Sequence, residues 1–535
     1  MKSKLGRAVV FFAWPGILLT CMLASCNLLP IESKNNYPSA PVIINPLGKV
    51  IIEENAHPGT SNWMIPPNKI ASIEIQAYAD ATSVLPGGTL TFYVSTLQEG
   101  TNYRIQIYRL GWYQDLGGRL MTSITHLVGF AQGYYDQSHH RLVGCSSCLV
   151  DAQIGLVEAG WLPSYKLSVP SDWTSGVYLA KFIDAHGLQT YVPFDVKSKA
   201  HSLYVAVTAD TTYAAYNDWG GYSLYTGYNS LSDETVQAGN SARGSKVSFD
   251  RPYAEGYGSE HVLQFEADAI HWLERRGYDV SYISSVDLHE DPAQLLGHRV
   301  YLSLGHDEYW TKEMRDGVEH ARDLGVSLAF LGADASYWQM RFEPDRAGTP
   351  DRTVVCYKVL TGSHDLARDP LYGKDNARVT SQWRDPVLAR PENALIGIMY
   401  SDLTHQRLGF SWQVSSQAKS RLLQGTGLQP GQSYGCDLVG YEWDRVFDNG
   451  VTPAGLQVLA VSHVVNNSNT PDTSNTTYYI ARSGAMVFAT GSIYWAASLD
   501  NYRLYADKMC AGQSFAIPGM QKLMVNVMAA LLNHQ

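Results

Sequence analysis

The sequence lacks the short motifs that identify the commonest kinds of active site. It contains no glycine-rich loop followed by Lys-Ser or Lys-Thr for nucleotide phosphates, and no His-Glu-x-x-His for zinc. No nucleophile elbow is predicted, and no cysteine stands at a predicted strand-to-helix turn. These absences argue against the P-loop, zinc-peptidase and cysteine-hydrolase classes.

Basic residues and long apolar runs are also scarce. The chain has 40 Lys and Arg against 50 Asp and Glu, a net charge of −10, which argues against a nucleic-acid partner. No segment after residue 24 is long and apolar enough to span a bilayer. Aromatic residues, in contrast, are abundant, and the 34 tyrosines and 13 tryptophans fit either β-sheet packing or stacking against a sugar.

Only seven cysteines are present, and two of them belong to the first 26 residues. Cys145 and Cys148 form a Cys-x-x-Cys pair, which could be a redox pair or half of a metal site. The pair lies in a loop-rich β region with no second Cys-x-x-Cys, so we predict a local disulfide, which an environment outside the cytoplasm permits.

The beginning of the chain predicts export and lipid anchoring. Three basic residues among the first seven precede a mostly apolar stretch, 8–24, which ends in Leu23-Ala-Ser-Cys26. This arrangement resembles a bacterial lipobox, in which the signal is cut before the cysteine and the cysteine receives the lipid. We therefore expect a lipoprotein signal peptide over 1–25 and a protein held to a bacterial membrane, on its periplasmic or cell-surface side, through Cys26 alone. The alternative is an ordinary secretory signal with an incidental cysteine.

Two domains are predicted after a tether over residues 26–60. Short alternating strands separated by turn signals predict an immunoglobulin-like β-sandwich over 61–199. Strands alternating with helices predict an α/β domain with a mainly parallel sheet over 200–535. Within it we expect a helix from Ser259 to Arg276, a helix capped by Thr311 and an exposed loop over 466–477.

Polar clusters follow three predicted buried strands of the second domain. The strands are Leu203–Thr208, Val300–Leu304 and Val326–Leu331. Two tyrosines, a histidine and several carboxylates follow them, and ligands bind outside the carboxyl ends of strands in an open parallel sheet. We therefore expect these polar side chains to meet at one edge.

The donors in these clusters are phenol, carboxylate and imidazole groups. Oxygen-rich ligands suit a hard metal ion, and a phenol becomes a good ligand at neutral pH only beside a strong Lewis acid, which favours ferric iron over zinc or calcium. A buried hydrogen-bond network without metal is the alternative that the spacing leaves open.

Six separated motifs occur in order between residues 213 and 443. They are Tyr213-x-Ala-Tyr216, Ser223-Leu-Tyr225, Arg251-Pro252, Gly305-His306-x-Glu308-Tyr-Trp, Leu331-Gly-Ala-Asp334-x-x-Tyr-Trp and Gly440-Tyr-Glu442-Trp. From about residue 202 onward, the chain thereby resembles the large-subunit catalytic domain of N,N-dimethylformamidase and its relatives. The resemblance implies a fold like that of class I glutamine amidotransferases, without their cysteine, and one ferric iron ion.

The resemblance also implies roles for individual residues. It implies that Tyr216, Tyr225 and Glu308 hold the iron, with Tyr213 as the fallback for Tyr216. His306 matches a histidine beside the iron and Glu442 a glutamate implicated in catalysis.

Asp334 departs from the family pattern, because it stands where the enzyme has asparagine. The family's metal ligands are therefore matched better in this sequence than its substrate pocket is. Asp334 stays a candidate catalytic residue together with His306 and Glu442.

The sequence thus predicts an exported iron-dependent hydrolase that acts on an amide-type C–N bond of a small molecule, with metal-activated water as the nucleophile. An oligomer is allowed. The alternative is a surface lipoprotein that binds glycan or another ligand without catalysis.

Overall fold

Strands make up most of the regular structure in the described part of the computed structural model. That part comprises residues 44–228, 243–363, 365–404, 409–500 and 516–533, all within one compact unit that extends from Ile43 to Gln535. Residues 1–43, with the signal peptide, Cys26 and the first part of the tether, lie outside the described residues, so these stay predictions. No helix among the described residues is long and apolar enough to cross a membrane.

Twelve strands form the first, all-β region. They are β1 (Ile75–Ala79), β2 (Ser83–Val84), β3 (Thr89–Thr96), β4 (Asn102–Leu110), β5 (Gly118–Val128), β6 (Tyr134–Asp136), β7 (Arg141–Val143), β8 (Leu149–Asp151), β9 (Leu156–Glu158), β10 (Tyr165–Ser168), β11 (Gly176–Asp184) and β12 (Gln189–Val196). The larger sheets have the strand orders β1-β3-β10 and β2-β12-β11-β4-β5, and β6-β7 and β8-β9 are separate pairs. Both larger sheets contribute alternate residues to one core, in which the Phe92 ring lies 5.3 Å from that of Phe182 and 6.2 Å from that of Phe194.

Fifteen strands form the second region. They are β13 (Tyr204–Thr208), β14 (Lys246–Ser248), β15 (Val280–Ser284), β16 (Val300–Leu304), β17 (Tyr309–Thr311), β18 (Ser327–Leu331), β19 (Trp338–Glu343), β20 (Thr353–Val355), β21 (Met399–Leu403), β22 (Phe410–Gln413), β23 (Ser433–Val439), β24 (Glu442–Arg445), β25 (Gln457–Val465), β26 (Pro471–Ile480) and β27 (Met486–Ala489). Seven of them form a sheet in the order β15-β13-β16-β18-β27-β26-β25. The first four pairings are parallel, and the last two are antiparallel. The others form the sheets β14-β20-β19-β17, β21-β24 and β22-β23.

Helices are few and mostly short. They are α1 (Lys49–Asn55), α2 (Asp210–Tyr216), α3 (Ala267–Arg275), α4 (Ser285–Glu290), α5 (Lys312–Asp323), α6 (Asn393–Ile396) and α7 (Pro518–Asn533), with a π-helix (Val262–Glu266) before α3. Short 3-10 turns are Pro67–Lys69, Gly256–Gly258, Pro292–Gly297, Leu366–Arg368, Asn376–Arg378, Arg421–Leu423 and Trp495–Ser498. Helix α1 falls within the predicted tether and packs Ile51, 2% exposed, against the core.

The predicted fold class is wrong. We expected an immunoglobulin-like sandwich followed by a mainly parallel α/β domain resembling class I glutamine amidotransferases. The structure has many small mixed and antiparallel sheets, and even its largest sheet is completed by two antiparallel strands. The reason is local: strands and helices alternate only from β13 to β18, whereas β25, β26 and β27 follow one another without a helix between them.

The sequence predicted the start of one helix correctly and that of another incorrectly. Helix α5 begins as predicted, because Thr311 Oγ1 accepts a hydrogen bond from the Met314 backbone N–H at 3.1 Å. The helix predicted from Ser259 is wrong in its start: the Ser259 hydroxyl donates to Gly256 O at 2.6 Å, and the helical segment begins at Val262.

One buried ion pair joins the two regions. Arg109 on β4 makes two hydrogen bonds of 2.7 Å to the carboxylate of Glu274 on α3, and both side chains are 0% exposed. Such a bidentate pair satisfies both charges only while both partners are present.

Candidate functional site

Three neighbouring parallel strands, β13, β16 and β18, end at one edge of the seven-stranded sheet. Helix α2, which ends at Tyr216, follows β13; His306 and Glu308 follow β16; Asp334 follows β18. The structure thus brings these four polar residues to the strand-end edge where ligands bind in such sheets.

Glycine allows two of these strand ends to approach closely. A Cβ atom at Gly332 would lie 1.8 Å from Gly305 O, which no other residue tolerates, and Gly305 itself has a φ of +55°. Asp334 has a φ of 56°, and its backbone N–H donates to Asp444 Oδ1 at 2.8 Å. These constraints hold Asp334 close to the turn that carries His306.

The three predicted iron ligands lie together, because Tyr216 and Tyr225 both bond to the carboxylate of the third, Glu308. The Tyr216 hydroxyl donates to Glu308 Oε2 at 2.9 Å, and the Tyr225 hydroxyl donates to Glu308 Oε1 at 2.5 Å. The two phenol rings stack with centroids 4.3 Å apart. Tyr225 is 38% exposed as a whole residue, yet its hydroxyl reaches Glu308, which is 1% exposed. The oxygen atoms of two tyrosines that are close in sequence therefore meet that of Glu308, which lies far along the chain.

His306, Asp334 and Glu442 form a second buried group beside Glu308. His306 Nε2 lies 3.2 Å from Glu442 Oε2 and 3.4 Å from Glu308 Oε2. One ligand-capable atom from each of His306, Asp334 and Glu442 lies within 4.8 Å of the other two. Among the described residues, no hydrogen-bond partner is found for His306 Nδ1 or Asp334 Oδ1. Buried polar atoms without a hydrogen-bond partner are rare in folded proteins, and a bound water, ion or ligand would supply the missing partner.

Burial dominates the electrostatics of these groups. It raises the pKa of Glu308, an effect that the charges of His306 and Lys358 oppose. Burial, followed by the Glu308 and Glu442 carboxylates, raises the pKa of Asp334 well above its usual value. Burial would lower the pKa of His306, but Glu442 and then Glu308 outweigh it, so the pKa is raised. The cluster holds more acidic than basic groups, and a bound cation would favour the ionised forms of the acidic ones.

The two phenols are held in their neutral form by the same surroundings. Burial and then the Glu308 carboxylate raise the pKa of Tyr216 and of Tyr225 well above the ordinary value. In the structure both phenols accordingly act as hydrogen-bond donors.

Lys358 and Tyr309 complete the site, and sequence reasoning missed both. Lys358 Nζ lies 3.3 Å from the Tyr225 ring centroid, and burial lowers its pKa to about 7. The Tyr309 hydroxyl donates to the Tyr225 hydroxyl at 2.7 Å. Tyr309 lies in the motif that contains Glu308, which could have revealed it. Lys358 follows β20 and has no motif of its own.

Other candidate residues lie apart from this cluster. The Tyr213 hydroxyl donates to Glu266 Oε1, not to Glu308. The letters Gly-x-Ser-x-Gly do occur at Gly431–Gly435, but Ser433 begins strand β23 and is exposed, so it forms no strand-to-helix elbow. The disulfide predicted between Cys145 and Cys148 is confirmed.

The residues fit a hard, oxygen-preferring cation. Tyr216, Tyr225 and Glu308 offer oxygen atoms alone, the kind of ligand that a hard cation takes. His306, Asp334 and Glu442 offer one nitrogen and two carboxylates next to it, with unpartnered atoms. The first set could hold the ion, and the second could bind or act on a molecule beside it.

Most of the chain matches a known protein family. Residues 104–509 match the family described as N,N-dimethylformamidase beta subunit-like, C-terminal. The N,N-dimethylformamidase beta subunit of Paracoccus aminophilus is 23% identical over 415 residues, which cover 65% of this chain and 53% of that protein. The beta subunit of the same name from an Alcaligenes species is 23% identical over 411 residues, which cover 64% of this chain and 52% of that protein.

The chain therefore spans about half the length of the curated relatives it matches. A solved cycloisomaltooligosaccharide glucanotransferase from Paenibacillus, complexed with cycloisomaltoheptaose, is 9% identical and covers 50% of this chain and 56% of its own. Its TM-score of 0.16 is too low to bear on fold or function. Because the family match extends over more than half of the sequence, the chain belongs to the N,N-dimethylformamidase beta subunit-like, C-terminal family.

Proposed function

We propose that this chain is an exported, iron-dependent hydrolase of an amide-type C–N bond in a small molecule. The observation that carries the proposal is the convergence of the Tyr216 and Tyr225 hydroxyl groups on the two oxygens of the buried Glu308 carboxylate. The names of the curated relatives, N,N-dimethylformamidase beta subunit, support the reaction class.

In this proposal Tyr216, Tyr225 and Glu308 hold one ferric ion. When bound, the ion supplies Lewis acidity, which polarises a carbonyl group and makes water a stronger nucleophile. Glu308 gives each tyrosine a different oxygen, so the carboxylate fixes the spacing of both phenols.

Glu442 and His306 move the proton. As the water oxygen bonds to the carbonyl carbon, Glu442 Oε2 is placed to accept the proton that the water loses, since it belongs to a buried carboxylate beside the proposed ligands. His306 Nε2, 3.2 Å away, relays a proton to the amine nitrogen as the C–N bond breaks. The products are a carboxylic acid and an amine, and the pair returns to its initial charge.

Charge in the site favours a neutral substrate. Glu308, Asp334 and Glu442 are buried acidic groups, whose ionised forms would repel an anion, and Lys358 and Arg384 are basic groups nearby. A small neutral amide satisfies this balance.

Location and assembly belong to the same proposal. The lipobox at Cys26 supports attachment to a bacterial membrane through a lipid. The relatives are named as subunits, which supports assembly into an oligomer, and the mass of the protein in solution measures this directly.

Metal content and colour test the proposal. Protein purified without chelator and with iron supplied is expected to contain about one iron ion per chain and to show a visible phenolate-to-iron absorption band. Tyr225→Phe removes one hydroxyl group, so it is expected to keep the fold but lose the band and most of the iron.

Tyr213→Phe is the matched control, because Tyr213 donates to Glu266 instead of Glu308. This variant is expected to keep iron and colour. If the wild-type protein is colourless and free of metal, the hypothesis of an iron-dependent hydrolase is rejected. The hypothesis to test is then a surface lipoprotein that binds glycan.

A further inference from the structure

A large cavity lies against the five-stranded sheet of the all-β region, and Tyr257 and Leu263 of the second region complete its lining. Its volume is about 1040 Å³, enough for a small molecule with a sizeable apolar body. Its floor is one face of the five-stranded sheet, and segment 58–67 covers it.

The pleat of the sheet explains which side chains reach the cavity. On β4 and β11, the alternate residues Ile105 and Phe182 point into the hydrophobic core. Arg104, Gln106 and Lys181 point the other way and line the cavity. In the antiparallel register Arg104 pairs with Ile183, and Gln106 pairs with Lys181.

Arg104 and Lys181 are therefore diagonal neighbours on adjacent strands, within reach of each other through their long side chains. A third cation, Arg119, is neutralised by Glu54, with Nη1 2.8 Å from Oε1. No acidic residue occurs among the described residues that line the cavity. Two like charges thus lie together without a counter-charge, although the whole chain carries a net charge of −10.

Lys181 is the buried member of this pair. It is 4% exposed, and burial, followed by the charge of Arg104, lowers its pKa to about 8. Its ammonium group donates to the backbone oxygen of Asn62 in the covering segment, and the described residues show no carboxylate bonded to it. An ammonium group has three donors, so two of them are left for a ligand.

Apolar side chains complete the lining. Met64 and Ile65 contribute from the covering segment, Ile183 from the floor and Leu263 from one end. Gln189 Oε1, also in the lining, is buried and lacks a hydrogen-bond partner among the described residues. A ligand with an anionic head and an apolar body matches both parts of this surface.

We propose that this cavity binds an organic carboxylate with a hydrocarbon body, whose carboxylate lies between Arg104 and Lys181. The site is separate from the proposed hydrolase centre and does not depend on iron. The site recognises its ligand by the negative charge of the head and by the apolar area of the body, so a fatty acid is the simplest member of the ligand class.

Calorimetric titration of the full chain with decanoate tests the proposal, with decan-1-ol as the uncharged probe of equal length. We expect decanoate to bind with one site per chain and decan-1-ol to bind at least tenfold more weakly. Lys181→Met keeps the length of the side chain without its charge, and it is expected to weaken decanoate binding at least tenfold.

Arg104→Gln provides a second variant at an exposed position, where folding is not at risk, and the same loss is expected. Lys166→Met, an exposed lysine in the other sheet, is the matched control and is expected to bind decanoate like the wild type. Equal binding of the two probes, binding unchanged in both Lys181→Met and Arg104→Gln, or no saturable decanoate binding would each overturn the proposal. Iron content has no part in the measurement, so failure of the hydrolase proposal would leave this one standing.

Discussion

Glu308 is the residue on which both phenols converge, so its charge matters more than its size. Glu308→Gln keeps the shape of the side chain but removes the negative charge that would offset a metal ion, and we expect it to lose most of the iron. His306→Ala is expected to retain more iron, because a residue beside the ligands typically alters metal affinity by only about 10–100-fold. Metal analysis of the two variants side by side measures this difference. Greater loss of iron in His306→Ala than in Glu308→Gln would contradict the assignment of ligands.

Asp334 places a third carboxylate among Glu308 and Glu442, in surroundings that raise its pKa well above the usual value. Asp334→Asn keeps the side-chain shape and replaces the carboxyl group by the amide that the resembling enzyme has at this position, so we expect hydrolysis of small formamides to appear or to increase by about tenfold, equivalent to roughly 1.4 kcal/mol of barrier. Release of the amine measures it. Asp323→Asn, at the exposed end of α5, is the control and should leave the rate unchanged. An unchanged rate in Asp334→Asn would show that the carboxyl group does not limit the reaction, and a lower rate would show that it is needed; either result would contradict the prediction.

At the scale of elements, the end of β13 brings two carboxyl groups to one hydroxyl. Thr208 Oγ1 lies 2.7 Å from Asp195 Oδ2 and 2.8 Å from Asp210 Oδ2. A hydroxyl group has one proton and can donate to only one of them. Burial raises the pKa of Asp210 to about 7 and that of Asp195 well above the usual value, Asp210 adding to the latter effect. One carboxyl group of this pair therefore keeps a proton in the folded protein.

This pair gives a dependence of stability on pH. Between about pH 4 and 7 the unfolded chain has lost the Asp210 proton while the folded chain still binds it, so stability falls as the pH rises. The full effect corresponds to about 4 kcal/mol at most. Asp210→Asn is expected to flatten this part of the profile of thermal midpoint against pH, whereas the exposed Asp172→Asn should follow the wild type. A profile in Asp210→Asn as steep as that of the wild type would refute the interpretation.

Some elements could be predicted because their signals are local. Short apolar runs bounded by polar clusters identified the strands that became β16 and β18, which are parallel neighbours as expected. Thr311 at the start of an apolar periodicity identified α5. The rule that ligands bind beyond the carboxyl ends of parallel strands predicted that Glu308 and Asp334 share one edge of the sheet, because each follows such a strand.

Other features depend on long-range contacts that have no local signal. Residues 466–477 have the composition of a loop, yet 471–477 belong to β26, where the Thr476 hydroxyl donates to Thr490 O at 2.8 Å and makes a buried polar strand acceptable. That strand is one of the antiparallel additions that made the predicted fold class wrong. Lys358 enters the site through contact with the Tyr225 ring, and nothing in the residues around it marks that contact.

At the scale of the whole molecule, the predicted lipid anchor decides where the protein acts. Cys26→Ser removes the atom that would carry the lipid, so we expect the protein to leave the membrane fraction or to accumulate unprocessed. Cys21→Ser, five residues earlier within the apolar stretch, is the control and should remain anchored. Fractionation with mass spectrometry of the mature N-terminus measures both. A Cys26→Ser protein that is cleaved normally and stays in the membrane would rule out this anchor.

The Arg109–Glu274 pair has a consequence for how such a chain can be rearranged. A transplanted β region with another residue at the position of Arg109 would leave the α3 carboxylate buried and without its partner, and breaking a buried pair in this way costs about 3–5 kcal/mol. The β region is therefore no interchangeable module that recombination or engineering could place in front of an unrelated second region. The two regions have to be inherited, swapped or redesigned together, with compensating changes at positions 109 and 274 introduced in the same step.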